Sequence, residues 1–335
     1  MSPTVGIIAN PAAGRDIRRL VAQGRVVSDQ EKANILRRVF AGLSALGVGR
    51  VIVMPERVGL ARMAAEDTAG KLEVTYADMR PAWASDDSTT AAGLMADAGV
   101  RCIVTLGGDG TNRVVAKACG DVPIVAISTG TNNVFPDMVE GTIAGLAAGA
   151  VATGIASADR VCRRSKRLDI YVDGALQELA LVDAAVSREM FTGARAIWDL
   201  NTVYEVYLTR ASPMSIGISS IGAQLRPVEI DEPVGLYIRL GSRESAERVL
   251  APVGPGMVRE VPIAEWAVLQ PGERRTVTLR PGTVALDGER EVSLLPGRRV
   301  DVELSLSGPR VVQIDRAVAC LAGRITAQPA SGSVP

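Results

Sequence analysis

Leu106-Gly107-Gly108-Asp109-Gly110-Thr111 is the stretch from which the rest of the chain is read. It follows Val100-Arg101-Cys102-Ile103-Val104-Thr105, a β-branched run that predicts a buried strand, and precedes Asn112 to Cys119, which predicts a helix. Strand, glycine turn and helix in that order make a phosphate site. Glycines let backbone N–H groups approach an anion, and the helix N-terminus adds its positive dipole. Asp109 runs against that trend, because a carboxylate repels a bare anion. It fits beside a metal ion or a hydroxyl that must lose a proton, so the combination points to phosphoryl transfer. Read as a bare turn, the same residues would only join strand to helix, with Asp109 as the cap. The third glycine of a dinucleotide fingerprint is missing, and no Gly-x-x-x-x-Gly-Lys-Ser/Thr run occurs, so the turn is neither a Rossmann turn nor a P-loop.

The 335 residues exceed what one core usually covers, which predicts two domains. A hydrophobic content of 47% is ample for burial. Lysine plus arginine equals aspartate plus glutamate at 37 each, leaving no net field to draw nucleic acid or an acidic membrane. The expected partner is a small molecule. Histidine is absent, which removes the imidazole base, the serine-histidine triad and every histidine metal site. Cys102, Cys119, Cys162 and Cys320 lie far apart with no Cys-x-x-Cys pair, so neither zinc nor a disulfide framework is expected, and Cys102 and Cys119 read as inert core. No apolar segment approaches the roughly 18 residues of a membrane span. Met1 to Ala9 lacks the charged start and cleavage region of a signal peptide. A soluble cytoplasmic protein is expected.

Along the chain, Thr4 to Ala9 predicts a buried strand closed by Asn10-Pro11, with Gly14 and Arg15 following; Arg15 is long enough to reach an anion. Ser28 and Glu31 form a capping box ahead of a helix carrying Leu36, Val39, Phe40 and Leu43, and Gly47 ends it. Strands at Val51 to Met54 and Leu72 to Tyr76 alternate with helices near Gly59 to Thr68 and Asp86 to Ala98, which implies a parallel sheet covered on both faces. In such sheets ligands sit beyond the carboxyl ends of the strands. Val122 to Ile127 supplies another strand and runs into Ser128-Thr129-Gly130-Thr131-Asn132-Asn133-Val134-Phe135-Pro136. The amides and hydroxyls of this second loop are candidates for holding ribose or phosphates, although the same composition also suits a plain connector. Thr142 to Ala158 predicts a small-residue helix leading to a domain boundary, and Arg160, Arg163, Arg164, Lys166 and Arg167 read as a solvated basic connector.

Residues 1–158 are thus an α/β domain and residues 159–335 a domain of another character. Asp169 to Ala175 and Glu178 to Val186 predict a hairpin around Asp173-Gly174. Further strands at Gly235 to Leu240, Arg275 to Leu279, Thr283 to Leu286, Glu291 to Leu294 and Val300 to Leu304, several punctuated by Pro-Gly and Asp-Gly, predict an antiparallel β domain. Val311 to Ile325 is expected to pack back on the first domain, with Gln328 to Pro335 a frayed tail.

With Asn10-Pro11 on the first strand and Gly130-Thr131-Asn132-Asn133 on the second loop, Gly107-Gly108-Asp109-Gly110-Thr111 resembles the NAD kinase and diacylglycerol kinase superfamily. Gly130 to Pro136 and Ala285-Leu286-Asp287-Gly288-Glu289-Arg290-Glu291 look most like its acetoin-catabolism protein X branch. The resemblance implies an N-terminal α/β nucleotide domain and a C-terminal antiparallel β-sandwich, with ATP and Mg²⁺ in the cleft between them, and association of the chain with its own copies. It implies that Gly107, Gly108, Gly110 and Thr111 face the phosphates, that Asn10, Thr129, Gly130, Thr131, Asn132, Asn133 and Asp183 shape the nucleotide and acceptor pockets, and that Asp109 and Glu289 are the catalytic carboxylates. No set of metal ligands is assigned. The implied activity is transfer of the ATP γ-phosphoryl group to a hydroxyl, with NAD the first acceptor. Two alternatives stay open: a kinase for another hydroxylated metabolite or lipid, and a nucleotide-binding regulatory protein without catalysis. Both follow from departures at the acceptor side, where Ala180-Leu181-Val182-Asp183 replaces the Ala-Leu-Asn-Glu phrase of NAD kinases and Ser219-Ser220-Ile221-Gly222 keeps little of their Thr-Pro-Thr-Gly-Ser loop.

Overall fold

The computed structural model describes residues 2–13, 27–66, 72–130, 132–190 and 199–322. Gly14, Arg15, Thr131 and the 328–335 tail, all singled out above, lie outside the described residues. The first half alternates strands and helices: β1 (Thr4–Ala9), α1 (Asp29–Ala45), β2 (Arg50–Val53), α2 (Leu60–Ala65), β3 (Glu73–Tyr76), α3 (Asp86–Asp97), β4 (Ile103–Gly107), α4 (Asp109–Ala116), β5 (Ile124–Ser128) and α5 (Gly141–Ala152). After α6 (Ala158–Val161) come β6 (Cys162–Arg164), β7 (Arg167–Val172), β8 (Ala175–Ala180), β9 (Asp183–Ser187), β10 (Val203–Leu208), α7 (Ser219–Leu225), β11 (Gly235–Leu240), β12 (Glu247–Gly254) and β13 (Met257–Leu269). The described chain ends with β14 (Arg274–Thr276), β15 (Gly282–Leu286), β16 (Glu289–Leu294), β17 (Val300–Ser305), β18 (Arg310–Val312) and α8 (Ile314–Ala319).

β1 to β5 pair in parallel in the order β3-β2-β1-β4-β5, as alternation of strand and helix requires. β18 extends that sheet by pairing in parallel with β5, and β6 closes its edge antiparallel to β18. Three elements from beyond residue 158 therefore complete the first layer: β6 and β18 in its sheet, and α8 against α5. The basic run is not a solvated connector. It builds β6 and the start of β7, and Lys166 is buried, its ammonium donating to the carbonyls of Glu229, Glu232 and Val234 at 2.6–2.9 Å. The Gly-rich composition of α5 has a packing cause: a Cβ on Gly145 would lie 2.3 Å from the Val39 carbonyl of α1, so the two helices touch backbone to backbone. Among the described residues no helix is long and apolar enough to cross a membrane.

The second half is antiparallel. A seven-stranded sheet, β12-β13-β11-β10-β9-β15-β16, faces a four-stranded one, β14-β17-β7-β8. Leu168, Ile170, Val302 and Leu304 of the smaller sheet meet Ala184, Val186, Val284 and Leu286 of the larger in one core, which makes the arrangement a β-sandwich. Three strands fall outside the predicted set: β10, which is buried along nearly its whole length, and β12 and the long β13, which are exposed over much of theirs. The predicted strand from Glu178 to Val186 is broken at Leu181-Val182, where the chain leaves the four-stranded sheet for the seven-stranded one. Leu179, Leu181 and Val182 pack into the core shared with Val115 and Phe135, so this crossover joins the two halves.

Candidate functional site

β4 delivers Gly107 to the carboxyl edge of the parallel sheet, and α4 begins at Asp109, three residues before the expected start, with Gly108 as its extended cap. None of the turn's glycines sits at positive φ, so their role is space, not backbone freedom. A Cβ on Gly107 would fall 2.5 Å from Thr111 Oγ1, and one on Gly108 would fall 2.8 Å from Asn133 Oδ1. The first turn is closed against the second loop.

Asp109 makes that closure. Its carboxylate does not cap its own helix; Oδ1 accepts from the backbone N–H groups of Val134 and Phe135 at 3.0 and 2.8 Å, and Oδ2 also accepts from Val134 at 3.1 Å. Asn133 braces the second loop from within, donating to Ser128 Oγ at 2.8 Å while Ser128 Oγ donates to the Gly130 carbonyl at 2.9 Å. The Asn10 amide donates to Thr111 Oγ1 at 3.0 Å, and its oxygen accepts from Ala12 N–H at 2.9 Å. Asn112, unremarked in the sequence, holds the turn from below: Nδ2 donates to the Gly108 carbonyl and Oδ1 accepts from Thr105 Oγ1. Among the described residues Thr129 Oγ1 is buried with no hydrogen-bond partner. Such a buried hydroxyl on the second loop is a group left for a ligand.

The opposite wall comes from the β-sandwich. One cleft is lined by Asp109, Asn132 and Val134 on the α/β side and by Asp183, Ser219 and Gly288 on the other. Ser219 Oγ is likewise buried without a partner among the described residues. Glu289 reaches the turn itself: a Cβ on Gly110 would lie 3.4 Å from its Oε1. Asp287 is different in kind. Its carboxylate is fully buried and accepts from the N–H groups of Leu181, Val182 and Asp183 at 2.7–3.2 Å, pinning the crossover. Burial pushes its carboxyl above the ordinary carboxylate range, against the opposing pull of Arg113 and those N–H groups.

Two buried arginines at this junction escape sequence reasoning. Arg113 of α4 is 1% exposed; its guanidinium pairs with Glu291 at 2.8 Å and Glu178 at 3.3 Å, and its Nε lies 4.0 Å from Asp287. It rivets the helix behind the glycine turn to the β-sandwich. Arg210, just past β10, donates to Ser165 Oγ at 2.9 Å and lies over the Phe135 ring at 5.3 Å. Burial pushes its guanidinium down to about 10, with Arg163 adding to the effect and Asp109, Asp287 and Asp137 opposing it. The only signal available was a charged residue inside an apolar run, Arg113 before Val114-Val115, and its acidic partners lie 65 and 178 positions away.

The structure thus brings Asn10, Gly107, Gly108, Asp109, Gly110, Thr111, Thr129, Gly130, Asn132, Asn133, Asp183 and Glu289 to one junction, while Thr131 is outside the described residues. No group of three or more acidic or cysteine side chains able to hold a metal occurs among the described residues.

Comparison with known proteins agrees with this two-part build. Residues 5–155 match the ATP-NAD kinase N-terminal domain, and residues 166–307 match the acetoin catabolism protein X C-terminal domain. Acetoin catabolism protein X of Cupriavidus necator is 45% identical over 316 residues, covering 91% of this chain and 88% of that protein. The chain therefore belongs to the acetoin catabolism protein X family, with an NAD kinase-like N-terminal domain joined to that family's own C-terminal domain.

Proposed function

We propose that the cleft binds ATP and passes its γ-phosphoryl group to a hydroxyl of a small molecule, with NAD the first candidate. The observation that carries the reading is the meeting of the two polar loops through Asp109, with the unpartnered Thr129 hydroxyl on one side and Glu289 against Gly110 on the other. Phosphoryl transfer needs positioning and charge neutralisation more than covalent chemistry, and amide-rich loops with a fixed carboxylate suit that demand. Both Asp109 oxygens already accept backbone N–H bonds. We therefore assign it the orientation of the acceptor hydroxyl, and assign Glu289 the proton that the hydroxyl releases.

Magnesium enters such sites on the phosphates with one or two protein carboxylates, and the donor set here fits that demand without a dedicated cage. Of the three carboxylates lining the cleft, Asp287 is taken by the crossover's N–H groups, and Asp183 and Asp109 are the two that would touch it. Its chemistry would be neutralisation of phosphate charge. The relative's name ties that protein to acetoin catabolism, and we infer the same setting for this chain.

A second reading, nucleotide binding without transfer, is favoured by Val182. Where NAD kinases carry a polar residue, this side chain is fully buried among Leu181 and Phe135, so it offers an acceptor nothing to hold. The test is NADP formation from Mg-ATP and NAD, beside an Asp109→Asn variant and ATP titration by calorimetry. Transfer is expected in the wild type and a loss of about 100-fold or more in the variant, with ATP affinity little changed. Full activity of the variant would sink the catalytic assignment. ATP binding without transfer to NAD or to any metabolite screened would install the second reading.

A further inference from the structure

Trp83 lies in the loop after β3, at φ 62°, a left-handed backbone that a bulky side chain rarely adopts. The conformation is held from outside the residue. Asp87, itself buried, accepts at one oxygen from Ala82 N–H at 2.9 Å and at the other from Ala84 N–H at 3.2 Å, the amides on either side of Trp83. The result is an indole turned outward and 48% exposed, with the Arg57 guanidinium over one face at 5.1 Å from the ring centroid. Aromatic residues make up 3% of this chain, yet Tyr76, the last residue of β3 and the point from which this loop leaves the sheet, is also 49% exposed.

A strained backbone clamped by a buried carboxylate to display an aromatic ring gains little from burial, and strain of this kind clusters at ligand sites. The position indicates which one. The loops after β2 and β3 leave the same carboxyl edge of the sheet as the loops carrying Asn10 and Asp109, because β1 to β4 are all parallel. β3 stands three strands from β4 in the order β3-β2-β1-β4, a lateral distance of about 14 Å at about 4.8 Å per strand. That is the reach of a nucleoside triphosphate from its phosphates to its base. Arg57 covers one indole face, and a flat, uncharged group is what the other face would take.

We propose that Trp83 is the stacking platform for the purine base of the bound nucleotide, backed by Arg57 and locked by Asp87. This rests on the ATP-binding reading of the cleft and adds to it the residue that distinguishes a nucleotide from bare polyphosphate. Base stacking on an aromatic side chain is sequence-tolerant and commonly changes affinity by about tenfold or more.

The test compares Mg-ATP with magnesium tripolyphosphate, by calorimetry on the full chain, in wild type, Trp83→Gly and Trp83→Phe. Glycine removes the ring and suits the left-handed backbone, so thermal stability is expected to hold. The expected result is about a tenfold or larger loss of ATP affinity in Trp83→Gly, recovery to within a few-fold of wild type in Trp83→Phe, and unchanged tripolyphosphate affinity in all three. ATP bound equally well by Trp83→Gly, or ATP and tripolyphosphate weakened together, would overturn the stacking role and leave the kinase reading standing. No ATP binding by the wild type would overturn both.

Discussion

Two hairpins in this protein turn on the same dipeptide. Asp173-Gly174 joins β7 to β8 and Asp287-Gly288 joins β15 to β16, with residues 172 and 175 paired in one and 286 and 289 in the other. Their φ angles are 51° and 84° against 50° and 82°, both central residues left-handed as a two-residue type I′ turn demands. The backbones are interchangeable and the carboxylates are not. Asp173 is 47% exposed, accepts from Arg299 N–H at 2.8 Å and pairs with Arg298, and that N–H bond with the Arg298 contact lowers its carboxyl below the usual range. Asp287 is sealed against the α/β domain, holds three successive N–H groups of the crossover and is pushed up by burial. Turn chemistry decides how the chain reverses; the surface the turn lands on decides what its acid does.

The largest test of this contrast is Arg113, which faces Asp287 from a buried position, whereas Arg298 at Asp173 is half exposed. Arg113→Met leaves Glu178, Glu291 and Asp287 without their buried cation and is expected to cost about 3–5 kcal/mol in denaturant unfolding. A loss below about 1 kcal/mol would mean that the rivet between helix and sandwich carries little. A smaller and cleaner effect comes from paired asparagine substitutions, since asparagine tolerates the left-handed turn. Asp287→Asn presents an amide donor to three buried N–H groups and is expected to cost about 1–3 kcal/mol, whereas Asp173→Asn, at a half-exposed carboxylate, is expected to lower the unfolding midpoint by clearly less. Equal losses would show that the turn, not the environment, sets the cost.

The pH dependence separates the two carboxyls with opposite slopes and the smallest effects. Asp287 titrates higher in the folded state than its ordinary 3.8, so the folded chain holds the proton longer and stability falls as pH rises from 3.8 through the raised value. Asp173 titrates lower than 3.8, so its contribution is present above 3.8 and is lost as pH falls through the lowered value. Unfolding free energies measured across this range are expected to show wild type losing ground to Asp287→Asn as pH rises, and to Asp173→Asn as pH falls. Slopes of one sign for both variants would refute the assignment of burial as the cause at Asp287.

Much of the fold was legible because its signals are local. The strand runs of β1, β4 and β5, the Ser28 cap, which accepts from Glu31 N–H at 3.1 Å, and the Asp-Gly turns each act within a few residues. Strands β12 and β13 escaped because an antiparallel strand with one wet face is a weak signal in a single sequence, and β10 because a short, almost wholly packed run carries no alternation to read. At the site, the glycine turn announced itself, but the glycines are explained by Thr111 and Asn133, whose contacts with them are set by packing. The same holds for Asp109: its type and place were readable, its two backbone partners 25 and 26 residues away were not.

By itself the sequence determined the alternation of strands and helices, the parallel sheet that follows from it, the antiparallel second half, and the two polar loops at the strand ends. These are consequences of periodicity and turn chemistry, which act between neighbours in the chain. Only the tertiary structure decided that the returning segment adds β18 to the parallel sheet with β6 closing its edge, that Lys166 is buried, that Arg113 and Asp287 join the halves, and that Trp83 is held outward by Asp87. The physical reason is burial. A charge or an aromatic ring acquires its role from what excludes water around it, and residues distant in sequence do the excluding.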